Sequence, residues 1–439
     1  MWKKLLITGC VTFSLLSGGT LSAQPSCEIK EEVTSEQLDR TQKELVAMMK
    51  ELKNDSYFQT ELDKAAVQSS PSKRMAAYKD LAVRLLSVLE IQAELEWMKP
   101  EAIQEALGIM KKSSGFDTAL ADKRFGELKS LLAGGFDGIY TGDAQAINKA
   151  NKTLTLKRKL MLMSPDVNVD KMLTVKFDLG ERANFVGAGS LGIQPNNWSN
   201  LSSASRKNFK AQLVELSGLQ SGELSEKVLY KPAVDGSSVT DLVLNWDGKR
   251  LMFTALDTTR RWQVHELDIN NGEAKQVTNI PEPDLEFFDG TYLPDGRMLA
   301  ISNIGYQGVP CVNGSDAVGN MVLYDPSNGY LRRLTFDQDA NWHPVVMANG
   351  KVMYVRWEYT DLTHYFSRIV MHMNPDGTEQ KSLYGSGSMF PNSIFDVQPL
   401  PKHTNRFVGV ISGHHGVARS GRLMIFDPAK SRKEEKGMI

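Results

Sequence analysis

The chain has 439 residues and a formal charge of −1, which is room for two domains and a large core. So balanced a charge gives no field to draw in nucleic acid or an anionic membrane surface, and nothing after the first 25 or so residues is apolar for long enough to span a bilayer. Three cysteines, Cys10, Cys27 and Cys311, exclude a disulfide-dense scaffold.

Residues 1–23 read as a signal peptide. Lys3-Lys4 is its basic start, Leu5 to Leu21 its apolar stretch, and Leu21-Ser22-Ala23 the small-residue cleavage site. Ile7-Thr8-Gly9-Cys10 also reads as a lipid-attachment box, but only Leu5 to Ile7 precede it as an apolar run. Either reading exports the chain to the periplasm or the cell exterior. Cys27 and Cys311 would then meet an oxidising compartment, as a disulfide or as two thiols.

Residues 24–168 read as a helical domain. Thr34 with Gln37 forms a capping box opening a helix to about Lys53. Ser70-Pro71-Ser72 is a break. Leu81, Leu85, Val88, Ile91 and Leu95 then recur at helical spacing up to Met98, and Pro100 stands at the next helix start. None of the seven histidines lies in this half, so packing, spacing or partner binding is its expected role.

Lys171 to Phe177 switches to period two and opens an all-β region over residues 169–439. Asn341 to Leu383 reads as a four-stranded antiparallel unit: Val345 to Met347, a two-residue I′ hairpin at Asn349-Gly350, Lys351 to Trp357 in alternation, Ile369 to Met373, a turn at Asp376-Gly377, and Gln380 to Tyr384. Asp241 to Thr278 and Asp289 to Thr335 repeat the pattern, and Phe395 to Pro428 repeats three of its strands. The first turn recurs at Asp247, Asp295 and Asn349, at spacings of 48 and 54 residues. Four-stranded units at such a period predict β-propeller blades, with a β-sandwich of unrelated hairpins as the alternative. Lys171 to Tyr230 reads as an irregular first blade.

Several strings offer chemistry. Gly187 to Gly192 fits GxGxxG, but Gln194-Pro195-Asn196-Asn197 follows instead of the helix a dinucleotide site needs. No GxSxG occurs, which removes a serine-peptidase reading. His414-His415-Gly416 follows a second strand and offers imidazoles to a divalent metal or a ligand; blade packing is the competing role. Arg356 to Asp361 (RWEYTD) also ends a second strand, where its charges form either a structural Arg–carboxylate pair or a ligand-binding rim. Trp342 and His343 open an innermost strand. The candidate ligand-binding set is therefore Trp342, His343, Arg356, Glu358, Asp361, His414 and His415, with His414 and His415 as candidate metal ligands and no catalytic residue.

RWEYTD, MNPDGTEQ, SGHHG and SPDVNVDKMLTVKF together resemble a family of secreted proteins related to the hydrazine synthase alpha subunit, through its middle domain; more distantly, the repeats resemble the TolB-type propeller. The resemblance spans roughly Lys157 to Pro428 and implies a six-bladed type of TolB-like propeller built of PD40-type repeats; the helical half matches only loosely. It does not carry the activity over. The synthase is a multihaem enzyme, and no C-x-x-C-H stands in this chain, so no covalent haem is expected. Four repeats or partial repeats plus one irregular blade, a last blade without its fourth strand and the charged tail SRKEEKGMI read as a shortened propeller. Three functions follow as expectations. The first is an exported module that binds a protein, glycan or small molecule without catalysis. The second is a metal- or cofactor-dependent enzyme subunit with its site at the propeller mouth. The third is a truncated, non-functional relative.

Overall fold

A computed structural model describes residues 33–167, 169–178, 200–204, 206–207, 209–220, 224–310, 313–357, 368–388, 390–413 and 421–439. The backbone divides into two compact units, one of residues up to 172 with 215–226, the other of 173–214 with 227–439.

The first unit carries six helices: α1 (Ser35–Met49), α2 (Ser56–Ala66), α3 (Pro71–Glu96), α4 (Pro100–Met110), α5 (Thr118–Ala133) and α6 (Ala144–Met161). Their starts follow local chemistry. Thr34 and Gln37 close the expected capping box, and Ser70 and Asp117 cap α3 and α5 through their side chains. Pro71 and Pro100 occupy the first turn of α3 and α4, where a missing N–H leaves no bond unmade. One apolar face per helix packs inward. Leu45, Met49, Phe58, Leu62, Leu81, Leu85 and Val88 form one core, and Ile103, Leu107, Phe125, Leu128 and Leu160 a second. No described helix is long and apolar enough to cross a membrane.

The strands follow in order. β1 (Lys171–Asp178), β2 (Lys210–Ser217) and β3 (Ser225–Tyr230) make a three-stranded sheet. β4 (Val239–Leu244), β5 (Arg250–Leu256), β6 (Trp262–Asp268) and β7 (Ala274–Gln276) make a four-stranded antiparallel meander, and β8 (Phe287–Tyr292), β9 (Met298–Ser302), β10 (Asn320–Asp325) and β11 (Tyr330–Arg333) make the next. β12 (Asn341–Val346), β13 (Val352–Trp357), β14 (Arg368–Met373) and β15 (Lys381–Tyr384) follow, then β16 (Ser393–Pro399), β17 (Phe407–Ser412) and β18 (Arg422–Phe426). A single parallel pair, Arg368 with Ser393, joins the last two groups into one seven-stranded sheet.

The turns differ in type from the expected I′ hairpins. Gly350 is left-handed (φ 80°), but Asn349 is not, and the Gly350 amide donates to the Met347 carbonyl at 2.9 Å. Met347 and Lys351 then close a three-residue loop, in which one glycine supplies the left-handed residue. β12 also starts four residues before the expected strand, at Asn341.

Alternation along a strand here separates two cores, not core from solvent. On β13, Met353, Val355 and Trp357 join a cluster with Ile394, Phe395, Val397 and Phe407, while Val352 and Tyr354 join one with Leu299, Ile301, Met321 and Leu323. On β9, Leu299 and Ile301 face that second cluster, while Met298 and Ala300 face Met252 and Val264. On β5, Leu251, Phe253 and Ala255 turn to Ala211 and Leu213 of β2. The sheets are therefore stacked face to face in chain order, and each inner one is covered on both sides. Strands buried on both faces read as apolar runs.

The last group has three strands, β16 to β18, and the tail adds a single bridge beside them: Met438 pairs with Phe426 in antiparallel fashion, and the Ile439 amide donates to the Ile425 carbonyl at 2.9 Å. The Asp427 amide likewise donates to the Gly437 carbonyl at 2.7 Å.

Candidate functional site

The first strands of the four successive strand groups, β4, β8, β12 and β16, share an irregularity. The register of each against its neighbour slips at one place: after Thr240, after Phe288, after Trp342 and after Phe395. The residue that follows is left-handed every time, with φ of 56° at Asp241, 54° at Asp289, 54° at His343 and 50° at Asp396. These are β-bulges, which turn one side chain out of the pleat. Asp and His are among the few residues that accept such a backbone at modest cost. Gly290, just past the second bulge, is required by space: a Cβ there would stand 2.7 Å from Met252 Sδ.

The four bulge residues approach one another from one group of strands to the next. The Asp289 amide donates to Asp241 Oδ2 at 3.0 Å and to the Thr254 hydroxyl at 3.2 Å. The His343 amide donates to Asp289 Oδ2 at 2.5 Å. His343 Nδ1 lies 3.5 Å from Asp289 Oδ1, and His343 Nε2 lies 3.1 Å from Asp396 Oδ1. Asp289 and His343 are 14% and 17% exposed, whereas Asp396 is 49% exposed, so the row opens to solvent at its last member. Burial, then the charge of Asp289, pushes the Asp241 carboxyl up to about 6, against the Thr254 hydroxyl and His343, which favour its ionised form.

Sequence reasoning found His343 and missed the three aspartates. A signal was present: Asp241, Asp289 and His343 each stand six residues before the turn residue Asp247, Asp295 or Asn349. A bulge breaks strict alternation, so period-two reading passes over it.

The other expected site residues fall differently. Trp342 is 1% exposed and is corrected from ligand contact to core: its ring lies 6.5 Å from that of Trp357 and 5.8 Å from that of Phe395. Adjacent strand residues face opposite ways, so Trp342 points between sheets while His343 points along the row. Arg356 Nη1 pairs with Asp337 Oδ1 at 3.3 Å, and Asp337 Oδ2 also accepts from Asn341 Nδ2 at 3.2 Å. This pair ties the β11–β12 connection to the end of β13. Asn341 pairs with Arg356 in the ladder, so His343 and Arg356 stand at the same end of the sheet. Glu358, Asp361, His414 and His415 lie outside the described residues, as do Gly187 to Gly192, Cys27 and Cys311.

Among the described residues, no group of three or more His, Cys, Asp or Glu is arranged to hold a metal ion. The row suits hydrogen-bonded or ionic contact more than metal coordination. The connections 277–286, 303–319 and 385–392 at this end are longer than the hairpin turns at the other, and 303–319, 334–340 and 385–392 carry the exposed rings of Tyr306, Phe336 and Phe390. Phe336 is covered on one face by the Arg333 guanidinium, 4.7 Å from its centroid.

No family profile matches this chain, and no curated protein matches it. Among solved structures it is similar to the Kuenenia stuttgartiensis hydrazine synthase, at 13% identity and a TM-score of 0.43, over 59% of this chain and 37% of that one. It is also similar to TolB from Acinetobacter baumannii, at 18% identity and a TM-score of 0.31, over 49% of this chain and 46% of that one. A third is the dipeptidyl peptidase 4 of Porphyromonas gingivalis, at 12% identity and a TM-score of 0.33, over 62% of this chain and 35% of that one. The chain thus spans less than half the length of each. A helical N-terminal region followed by antiparallel sheets is the architecture.

Proposed function

We propose that the chain is an exported binding module without catalysis of its own. In this reading residues 1–23 are the export signal, 24–168 the helical domain and 169–439 a TolB-like β-propeller. The stacking of one sheet on the next supports the propeller, because each first strand neighbours the first strand of the next sheet: β4 meets β8, β8 meets β12, and β12 meets β16. The single observation that carries the binding reading is the polar row under long loops. Loops set on a rigid sheet are where recognition is commonly built. A protein, glycan or small molecule would be met by Tyr306, Phe336 and Phe390 at the rim, with His343 and Asp396 beneath. The short turns at the opposite end, with Trp246 and Tyr330, would make no such contact.

The test is photocrosslinking of the full-length chain in cells that export it, with the reactive residue placed singly at 306, 336, 246 or 330. A discrete adduct from 306 and 336 and none from 246 or 330 is expected. Adducts from the opposite end alone, or equally from both, would overturn the reading.

A further inference from the structure

Two helices of the first unit carry the same short pattern. Residues 104–111, in α4 and its cap, read QEALGIMK, and residues 122–129 of α5 read DKRFGELK. Each has a polar residue, an apolar one three places on, a glycine at the fourth and a lysine at the seventh. That spacing sets all four on one face of a helix. Lys111 Nζ pairs with Asp122 Oδ1 at 2.7 Å, so the end of α4 meets the start of α5 and the two faces run in opposite directions. Together they line one groove of about 410 Å³.

Glycine is the poorest helix former after proline, yet Gly108 and Gly126 stand inside their helices. Crowding does not require them: a Cβ at either position would meet no heavy atom within 4 Å. Their effect is to leave space open beside Leu107 and Phe125, which are buried and share a core with Leu156 and Leu160 of α6. The two ends of the groove differ in charge. At one, Lys111 is answered by Asp122. At the other, Lys129 lies 4.9 Å from the centroid of the Phe125 ring and, among the described residues, in no ion pair, with Gln104 on the facing helix. An apolar floor with a cation and an amide at one end suits an apolar chain with an anionic head. Seven residues of helix span about 10 Å, and a partner helix of that length would need roughly 800 Å³ or more, so a single extended chain fits where a helix does not.

We propose that the groove between α4 and α5 binds a free single-chain carboxylate, its head at Lys129 and Gln104 and its apolar tail along Leu107 and Phe125 in the space the glycines leave. The site uses none of the residues of the strand-region reading, and neither depends on the other.

Calorimetric titration of the full-length protein with decanoate, below its micelle concentration, tests this. One site per chain is expected. Decyltrimethylammonium, with the same tail and the opposite charge, should bind at least about tenfold more weakly. Lys129→Glu should weaken decanoate binding by about tenfold or more. Lys123→Glu, the same change in net charge at an exposed residue outside the groove, should leave it unchanged. Gly108→Leu and Gly126→Leu fill the space and should cause a loss like that of Lys129→Glu, without lowering the urea midpoint of the helical unit. Equal binding of the two amphiphiles, equal effects of Lys129→Glu and Lys123→Glu, or unchanged affinity in both leucine variants would each overturn the proposal. So would a chain that sediments as a dimer and becomes monomeric in Gly126→Leu, since the groove would then hold a second copy. Should the leucine variants fail to fold, the two charge variants, both at exposed positions, decide the matter.

Discussion

The helical and strand units place their charges differently. In the helices, ion pairs such as Lys111–Asp122, Lys53–Glu96 and Lys152–Glu127 stand in water on the face left over from packing. In the strand region some acidic partners are built in. Glu286 is 6% exposed beside Arg206, and Asp257 is buried against Arg261. A helix with one apolar stripe has a free face for charge. A sheet covered on both sides does not, so each polar side chain within it must find a hydrogen-bond partner. The same charge pair is thus near-neutral in energy in one unit and a structural requirement in the other.

Tryptophans offer the largest contrast. Trp342→Ala should lower the stability of the strand region by about 3–5 kcal/mol, the usual cost of an emptied aromatic site. Trp97, 81% exposed at the end of α3, should cost less than about 0.5 kcal/mol on the same change. Urea unfolding of the full chain, followed separately in each unit by hydrogen exchange, measures both.

The ion pairs come next. Arg206→Ala should cost about 3 kcal/mol, because it strands the Glu286 carboxyl, which burial already pushes up despite the guanidinium. Lys111→Ala should cost under about 1 kcal/mol. Similar losses at the two sites would break the comparison.

The row of bulges adds a pH test. A carboxyl near 6 when folded and 3.8 when free favours folding most below pH 3.8 and loses that contribution as pH rises through 6. Asp241→Asn keeps an acceptor for the Asp289 amide and cannot ionise. It should stabilise the protein by up to about 3 kcal/mol at pH 8 and by well under about 1 kcal/mol at pH 4, as urea melts at the two pH values would read. The smallest effect belongs to the helices: Thr34→Ala removes the cap of α1 at a cost of about 1 kcal/mol, measured by unfolding of that unit.

Much of the fold was legible because its determinants are local. Thr34 and Gln37, Pro71 and Pro100 mark helix starts through contacts within one turn. Gly248, Gly296, Gly350 and Gly377 mark hairpins because each adopts a left-handed backbone. The β-rich residues between those turns did form strands. The site was less legible. His343 drew attention as a histidine, but Asp241, Asp289 and Asp396 read as ordinary polar positions.

By itself, then, the sequence determined where helices and strands begin and turn, since those depend on neighbours a few residues away. Only the tertiary structure decided what each side chain meets. It put Trp342 into a core between sheets and gave Arg356 to Asp337. It laid Met438 beside Phe426 and brought Asp289, His343 and Asp396 into one row from positions about fifty residues apart. The physical reason lies in the stacking. With a sheet on either side, both faces of a strand become interior, and the pattern that would separate inside from outside disappears. The side chains turned out of the pleat at the bulges then meet partners that no local rule specifies.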